Sequence, residues 1–122
     1  MTEGISNRAR GTMGEVRAQQ YLVSLGWQML DHNAAGVGGE IDLIGLDGNV
    51  LVFVEVKLRN HSAILGREAV TPAKQKRICR AALFYMQRNR LMNHQARFDV
   101  IEIQDGHLTH IRNAFPYCGP VY

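Results

Sequence analysis

The chain has 122 residues, 46% of them hydrophobic and 20% charged, which amounts to about one domain and excludes a disordered or fibrous protein. Fourteen Lys plus Arg against 11 Asp plus Glu leave a net charge of +3, an excess that permits a nucleic-acid partner without demanding one. Two cysteines, Cys79 and Cys118, are too few for a disulfide framework or a four-ligand zinc site and read as reduced thiols.

Residues 1–11 are polar, carry Arg8 and Arg10, and read as a flexible lead with no apolar signal-peptide core. The longest aliphatic–aromatic run, Val50 to Val54, is far short of the roughly 20 residues of a membrane span, so a soluble, cytoplasmic protein is expected. From Thr12 to Leu25 the apolar residues Ala18, Tyr21, Leu22 and Leu25 recur at helical steps, and Gly26 supplies a stop. Trp27 to His32 alternates as a short strand, and the small residues from Ala34 to Gly39 read as a loop. Glu40–Leu46 and Val50–Leu58 are predicted strands joined by an Asp47-Gly48 hairpin. The second is almost entirely β-branched or aromatic and belongs at the centre of a sheet, covered on both faces. Arg59–Val70 is irregular. Pro72 opens a predicted helix to about Asn89, with Ile78, Ala81, Ala82, Tyr85 and Met86 as its apolar stripe. Arg97–Ile103 is a strand, Asp105-Gly106 a turn and Leu108–Arg112 a last strand, followed by a loose tail. The order α-β-β-β-α-β-β predicts an α/β layer arrangement with a mixed sheet in one domain over residues 12–115, with 116–122 as the tail.

The informative residues are those that break these patterns. Alternation puts Leu51, Phe53, Glu55 and Lys57 on one face of their strand and the valines 50, 52, 54 and 56 on the other. In the preceding strand Glu40, Asp42 and Ile44 share one face, Ile41 and Leu43 the other. A hairpin at Asp47-Gly48 then sets Asp42 opposite Glu55. Two carboxylates that close repel unless a cation lies between them, and a hard oxygen pair suits Mg2+ or Mn2+ completed by water and substrate phosphate. Lys57, on the same face, is placed to orient or deprotonate an attacking water, or to offset phosphate charge; a plain ionic cluster is the other reading. Glu15, in helical step with Ala18 and Leu22, points inward near the predicted helix start, where the dipole favours a carboxylate.

Basic charge is concentrated beside these acids. Lys57, Arg59, Arg67, Lys74, Lys76, Arg77 and Arg80 against Glu68 give +6 between residues 57 and 80, leaving −3 for the rest. Next to a metal site, phosphate contact by Arg59, Lys74, Lys76, Arg77 and Arg80 is the preferred reading, with DNA as the expected partner. No series of aromatic residues interleaves the stretch, so a base-stacking platform is not indicated. His107 and His110 fall on opposite faces, and His32, His61 and His94 have no partners in sequence; all five read as surface or loop histidines. Neither a nucleophile elbow nor a phosphate-cradling glycine loop occurs.

Taken together, Gly14-Glu15, Gly39-Glu40-Ile41-Asp42-Leu43-Ile44, Val52-Phe53-Val54-Glu55-Val56-Lys57, Pro72-Ala73-Lys74-Gln75-Lys76 and Arg97-Phe98-Asp99-Val100 closely resemble the YraN-like family of small bacterial proteins, from about Thr12 to Phe115. That family is similar in turn to the PD-(D/E)XK nuclease superfamily, notably the archaeal Holliday-junction resolvases. The resemblance implies a three-layer restriction-endonuclease-like αβββαβ core and a metal-dependent endonuclease hydrolysing DNA phosphodiester bonds, with branched or damaged DNA as the substrate class. It implies Mg2+ on Asp42 and Glu55, Lys57 serving the attacking water, Glu15 completing the site and Gln75 approaching it from the next helix. Resolvase-like relatives act as dimers, which makes a homodimer an expectation here. Leu58 departs from the pattern, since relatives tend to carry a small polar residue there. The alternative is a non-catalytic nucleic-acid-binding accessory protein on a nuclease-like fold.

Overall fold

Seven elements follow the chain in the computed structural model, which describes residues 7–36, 39–59 and 70–119, with side chains from residue 13 onward. They are α1 (Asn7–Ser24), β1 (Gln28–Gly36), β2 (Gly39–Asp47), β3 (Val50–Arg59), α2 (Pro72–Arg88), β4 (Gln95–Gln104) and β5 (His107–Phe115). The strands form one sheet in chain order, β1-β2-β3-β4-β5. Pairing is antiparallel except between β3 and β4, which run parallel across the α2 crossover. This is the expected α/β fold with a mixed sheet, compatible with a restriction-endonuclease-like core.

Local chemistry sets the element ends. The Trp27 N–H donates to the Leu22 carbonyl at 3.1 Å and the Gly26 N–H to Val23 at 2.9 Å, closing α1 with Gly26 at φ +94°, a left-handed position that glycine takes without steric cost. Gly48 turns β2 into β3 with Asp47 facing Val50. Asp105 and Gly106 are both at positive φ in the β4–β5 turn, as a two-residue hairpin of that hand requires. Thr71 caps α2, its hydroxyl accepting the Lys74 N–H at 3.2 Å, and Pro72 opens the first turn.

The sheet separates two apolar cores. Ala18 and Leu22 of α1 pack with Trp27, Leu43, Val52, Val54, Ile101 and Ile103. Ile78, Cys79, Ala81 and Ala82 of α2 pack with Leu51, Phe53, Phe98 and Val100 on the other face. Covered on both sides and flanked by β2 and β4, β3 is the central strand its composition predicts, and the three layers are α1, sheet and α2.

Several sequence expectations shift. The first helix begins at Asn7 rather than Thr12, so residues 7–11 are helical and Glu15 lies two turns inside it. The reading of Glu15 as a residue near the helix start is therefore corrected, and the helix dipole is not what steadies it. Ala34 to Gly36 and Gly39 are strand rather than loop, with Gly36 facing Gly39. Leu25 is exposed, not part of the core stripe. Ile41 packs on the α2 face and Leu43 on the α1 face, against simple alternation. The β2–β3 ladder runs from Asp47–Val50 to Leu43–Val54, and the face changes where it ends, at Asp42. The last strand reaches Phe115, past the predicted Arg112. The irregular stretch 60–69, with Arg67, Glu68 and His61, lies outside the described residues, as do residues 1–6 of the lead. No helix among the described residues is long and apolar enough to cross a membrane.

Candidate active site

Period-two alternation carries β3 from Leu51 and Phe53 in the α2-side core to Glu55 and Lys57 on the same face, so the core pattern delivers a carboxylate and an ammonium beneath the first turn of α2. Glu55 is only 6% exposed. Its Oε2 takes the Lys57 Nζ at 3.1 Å and the Lys74 Nζ in a closer ion pair. Lys74 reaches it because Thr71 and Pro72 fix where α2 starts. One step past the end of the β2–β3 ladder, the Asp42 carboxylate accepts the Val56 N–H at 2.8 Å, which ties it beside Glu55.

The charge states follow from this crowding. Burial, then the Glu55 charge, push Asp42 up to about 7; Glu15 adds to the rise and the Val56 N–H opposes it. Burial and then the neighbouring Lys74 lower Lys57, despite Glu55. Burial, the largest influence, works against the charge on Lys74, but its bonds to Glu55 and Lys57 and the Glu55 and Asp42 charges together raise it. Of the two lysines, Lys57 is therefore the one that gives up a proton more readily.

The other expected residues divide. Glu15 is half-buried on α1, close enough for Asp42 to feel its charge, and it arrives from the opposite helix layer. Gly14 before it lies against Val56 and Leu58. Gln75 is half-buried, and its amide donates to the Val70 carbonyl at 2.9 Å, so it bridges the helix start instead of reaching for the acids. Arg59 is drawn to Glu102, with Nε 3.3 Å from Oε2. Lys76, Arg77 and Arg80 stand along α2, on the solvent side of the helix that supplies Lys74.

A family model described as "Uncharacterised protein family UPF0102" matches residues 14–103. The chain belongs to that family. A UPF0102 protein of Alkalilimnicola ehrlichii is 44% identical over 107 residues, covering 86% of this chain and 85% of the relative. One from Geobacter sulfurreducens is 41% identical over 115 residues, covering 89% and 90%. A third, from Trichlorobacter lovleyi, is 43% identical over 119 residues, covering 92% and 94%. The match to the family model takes in Glu15, Asp42, Glu55, Lys57 and Lys74, and ends before the last strand.

Among the described residues no group of three or more His, Cys, Asp and Glu is placed to hold a metal ion. The donor set on offer is thus the Asp42–Glu55 carboxylate pair. Mg2+ accepts such a set, since it keeps several waters and takes one or two carboxylates together with phosphate oxygen. Asp42 is raised by burial first and by the Glu55 and Glu15 charges after it, and the carboxylate part of that rise is what a cation would relieve.

Sequence reasoning misses two things. It groups Lys74 with the exposed phosphate contacts, yet Lys74 sits inside the cluster. The signal is present, because Lys74 precedes Ile78 by four residues and so continues the buried stripe one turn upstream. The second is a polar network on the α1 face, where the surface reading of His110 is corrected. The His110 side chain is 5% exposed, and its Nε2 lies 2.8 Å from Oδ2 of the fully buried Asp99. Asp99 also accepts from Arg97 Nε at 3.0 Å, Arg97 Nη2 at 3.2 Å and the Asn113 N–H at 2.9 Å. An ionised Asp99 can only accept, so Nε2 carries a proton and in the neutral ring Nδ1 is left to accept from the Tyr21 hydroxyl, 3.1 Å away.

Proposed function

We propose that this protein is a metal-dependent endonuclease that hydrolyses DNA phosphodiester bonds at the Asp42–Glu55–Lys57 cluster, with branched or damaged DNA as its substrate class. The observation that carries the reading is the meeting of two carboxylates, one with its acidity suppressed to about 7, with two lysines under a helix whose outer face is basic. Asp42 and Glu55 would hold Mg2+ or Mn2+, which when bound would polarise the phosphoryl oxygen and acidify a water. Lys57, whose proton burial and Lys74 loosen, orients the attacking water and takes its proton. Lys74 keeps its charge and offsets the negative charge that grows on the phosphoryl oxygens. Glu15 adds negative charge from the α1 side and strengthens the pull on a cation. Lys76, Arg77 and Arg80 line the approach for the phosphate backbone, a sequence-independent contact that steers and positions.

Linear, nicked and four-way DNA incubated with the protein and Mg2+ or Mn2+ should be cut by the wild type and not by Glu55→Ala. Cutting that survives unchanged in Glu55→Ala would sink the assignment. One observation favours a second reading, a nucleic-acid-binding accessory protein: Glu55 is already compensated by Lys57 and Lys74 without any cation from solution. That reading predicts salt-sensitive DNA binding indifferent to divalent metal and intact in Asp42→Ala.

A further inference from the structure

Cys79 belongs to the buried face of α2 between Ile78 and Ala81 and is fully shielded from solvent. Cys118 follows β5 by three residues and is half-exposed. The two sulfurs are 3.6 Å apart, both thiols are free, and the Cys118 N–H donates to Cys79 Sγ at 3.2 Å. The segment after β5 is pressed onto the helix at this point: a Cβ added to Gly119 would fall 2.9 Å from the Cys79 Cβ, a gap that only glycine keeps open. Bringing the sulfurs to the ~2.05 Å of a disulfide takes a shift of roughly 1.5 Å.

We propose that Cys79 and Cys118 are a reversible dithiol–disulfide pair, a modification site at which a low-molecular-weight disulfide such as oxidised glutathione is reduced and the segment after β5 becomes covalently fastened to α2. Cys118, the accessible thiol, reacts first. Its thiolate attacks one sulfur of the oxidant, the S–S bond breaks, and one glutathione leaves as a thiolate that takes up the proton released by Cys118. Cys79 then gives up its proton and attacks Cys118 Sγ, expelling the second glutathione, which receives that proton. Two electrons pass from the protein to the oxidant, and two glutathione thiols are produced. Burial, the largest influence, pushes the Cys79 thiol up to about 11, which suits a resolving thiol that stays protonated until the mixed disulfide is beside it. The bridge fastens to the tail the helix that holds Lys74 on Glu55, and it closes the chain from residue 79 to 118.

The test is intact-mass measurement of the reduced full-length protein before and after exposure to oxidised glutathione. The expected product is lighter by two hydrogens, yields a joined Cys79–Cys118 peptide pair on digestion, reverts with dithiothreitol, and melts about 5 °C or more above the reduced form. Cys79→Ser should stop at one glutathione on Cys118, and Cys118→Ser should stay unmodified. A stable glutathione adduct on the wild type, thiols left intact, or a disulfide between two chains would each overturn the proposal. The wild-type measurement decides the matter even where a variant fails to fold.

Discussion

Asp42 and Asp99 are both carboxylates withdrawn from water by the same sheet, and burial leaves them in opposite states. On the α1 face, burial alone would raise Asp99, but His110, Arg97 and the Asn113 N–H together hold it below the usual carboxylate range. Arg97 is itself steadied by Asp47 at 2.9 Å and lies over the Trp27 ring, 5.5 Å from its centroid. Asp42 has one backbone donor to set against its burial, and the Glu55 and Glu15 charges add to the burial, so it rises to about 7. Burial by itself therefore does not decide the state of an acid; the donors that come with it do. The satisfied aspartate has the character of a structural fastening. The frustrated one, beside a basic helix, is the one proposed to take a cation.

The widest separation between the two should appear in stability. Asp99→Ala leaves His110 Nε2 without its acceptor and Arg97 with Asp47 alone, and should cost about 3–5 kcal/mol in urea unfolding. A loss near that of an ordinary surface substitution would mean the network fastens nothing. Next in size is the pH dependence, where the two acids have opposite signs. Asp42 is raised from 3.8 to about 7, so its folded form holds the proton more tightly than the unfolded chain. Its stabilisation is complete below about pH 4 and is lost as pH rises towards about 7, by up to about 4 kcal/mol. Asp99 is lowered; its contribution is present above the unfolded value of 3.8 and is lost as pH falls through its folded value. Asp42→Asn should therefore stabilise the protein at pH 8 and leave stability near pH 4 unchanged, as read by unfolding curves at both pH values.

A smaller effect is expected at Lys74. Its ammonium and an incoming cation compete for Glu55, so Lys74→Met should tighten Mn2+ binding about fivefold in calorimetry, the equivalent of roughly 1 kcal/mol. Weaker Mn2+ binding would show that Lys74 supports the metal site instead of competing with it. Smallest for any single residue are the cations on the outer side of α2. Replacing Lys76, Arg77 and Arg80 by alanine should weaken DNA binding uniformly across sequences and flatten the salt dependence by about 0.9 for each phosphate no longer neutralised.

How far the sequence reaches tracks which features are set by short-range geometry. The Asp47-Gly48 turn fixes the register of β2 against β3, so the meeting of Asp42 with Glu55 is legible from the residues alone. So is the position of β3, from its unbroken apolar composition. The α1 start is not, because residues 7–12 hold no apolar side chain larger than Ala9 and offer no apolar face for periodicity to detect. The Asp99 network is hidden by a register shift between Phe98 and Val100, where Asn113 turns to φ +52° and offers its N–H to Asp99 in place of a regular ladder. Alternation does not read a bulge. It does set Arg97 and Asp99 in step with Ile101 and Ile103, and that is a sign of burial. Gln75 and Arg59 are assigned by type and position in sequence, whereas their bonds to Val70 and Glu102 depend on tertiary placement.

The central claim is that Asp42 and Glu55 together take a divalent cation. Mn2+ titrated calorimetrically in buffers of different ionisation enthalpy at pH 6.5 measures both the binding and the protons it displaces. With Asp42 titrating at about 7, saturable binding should release about three quarters of a proton per site. The release should fade by pH 9 and both signals should vanish in Asp42→Asn. Absence of saturable binding in the wild type, or binding with the same proton release in Asp42→Asn, would contradict the account.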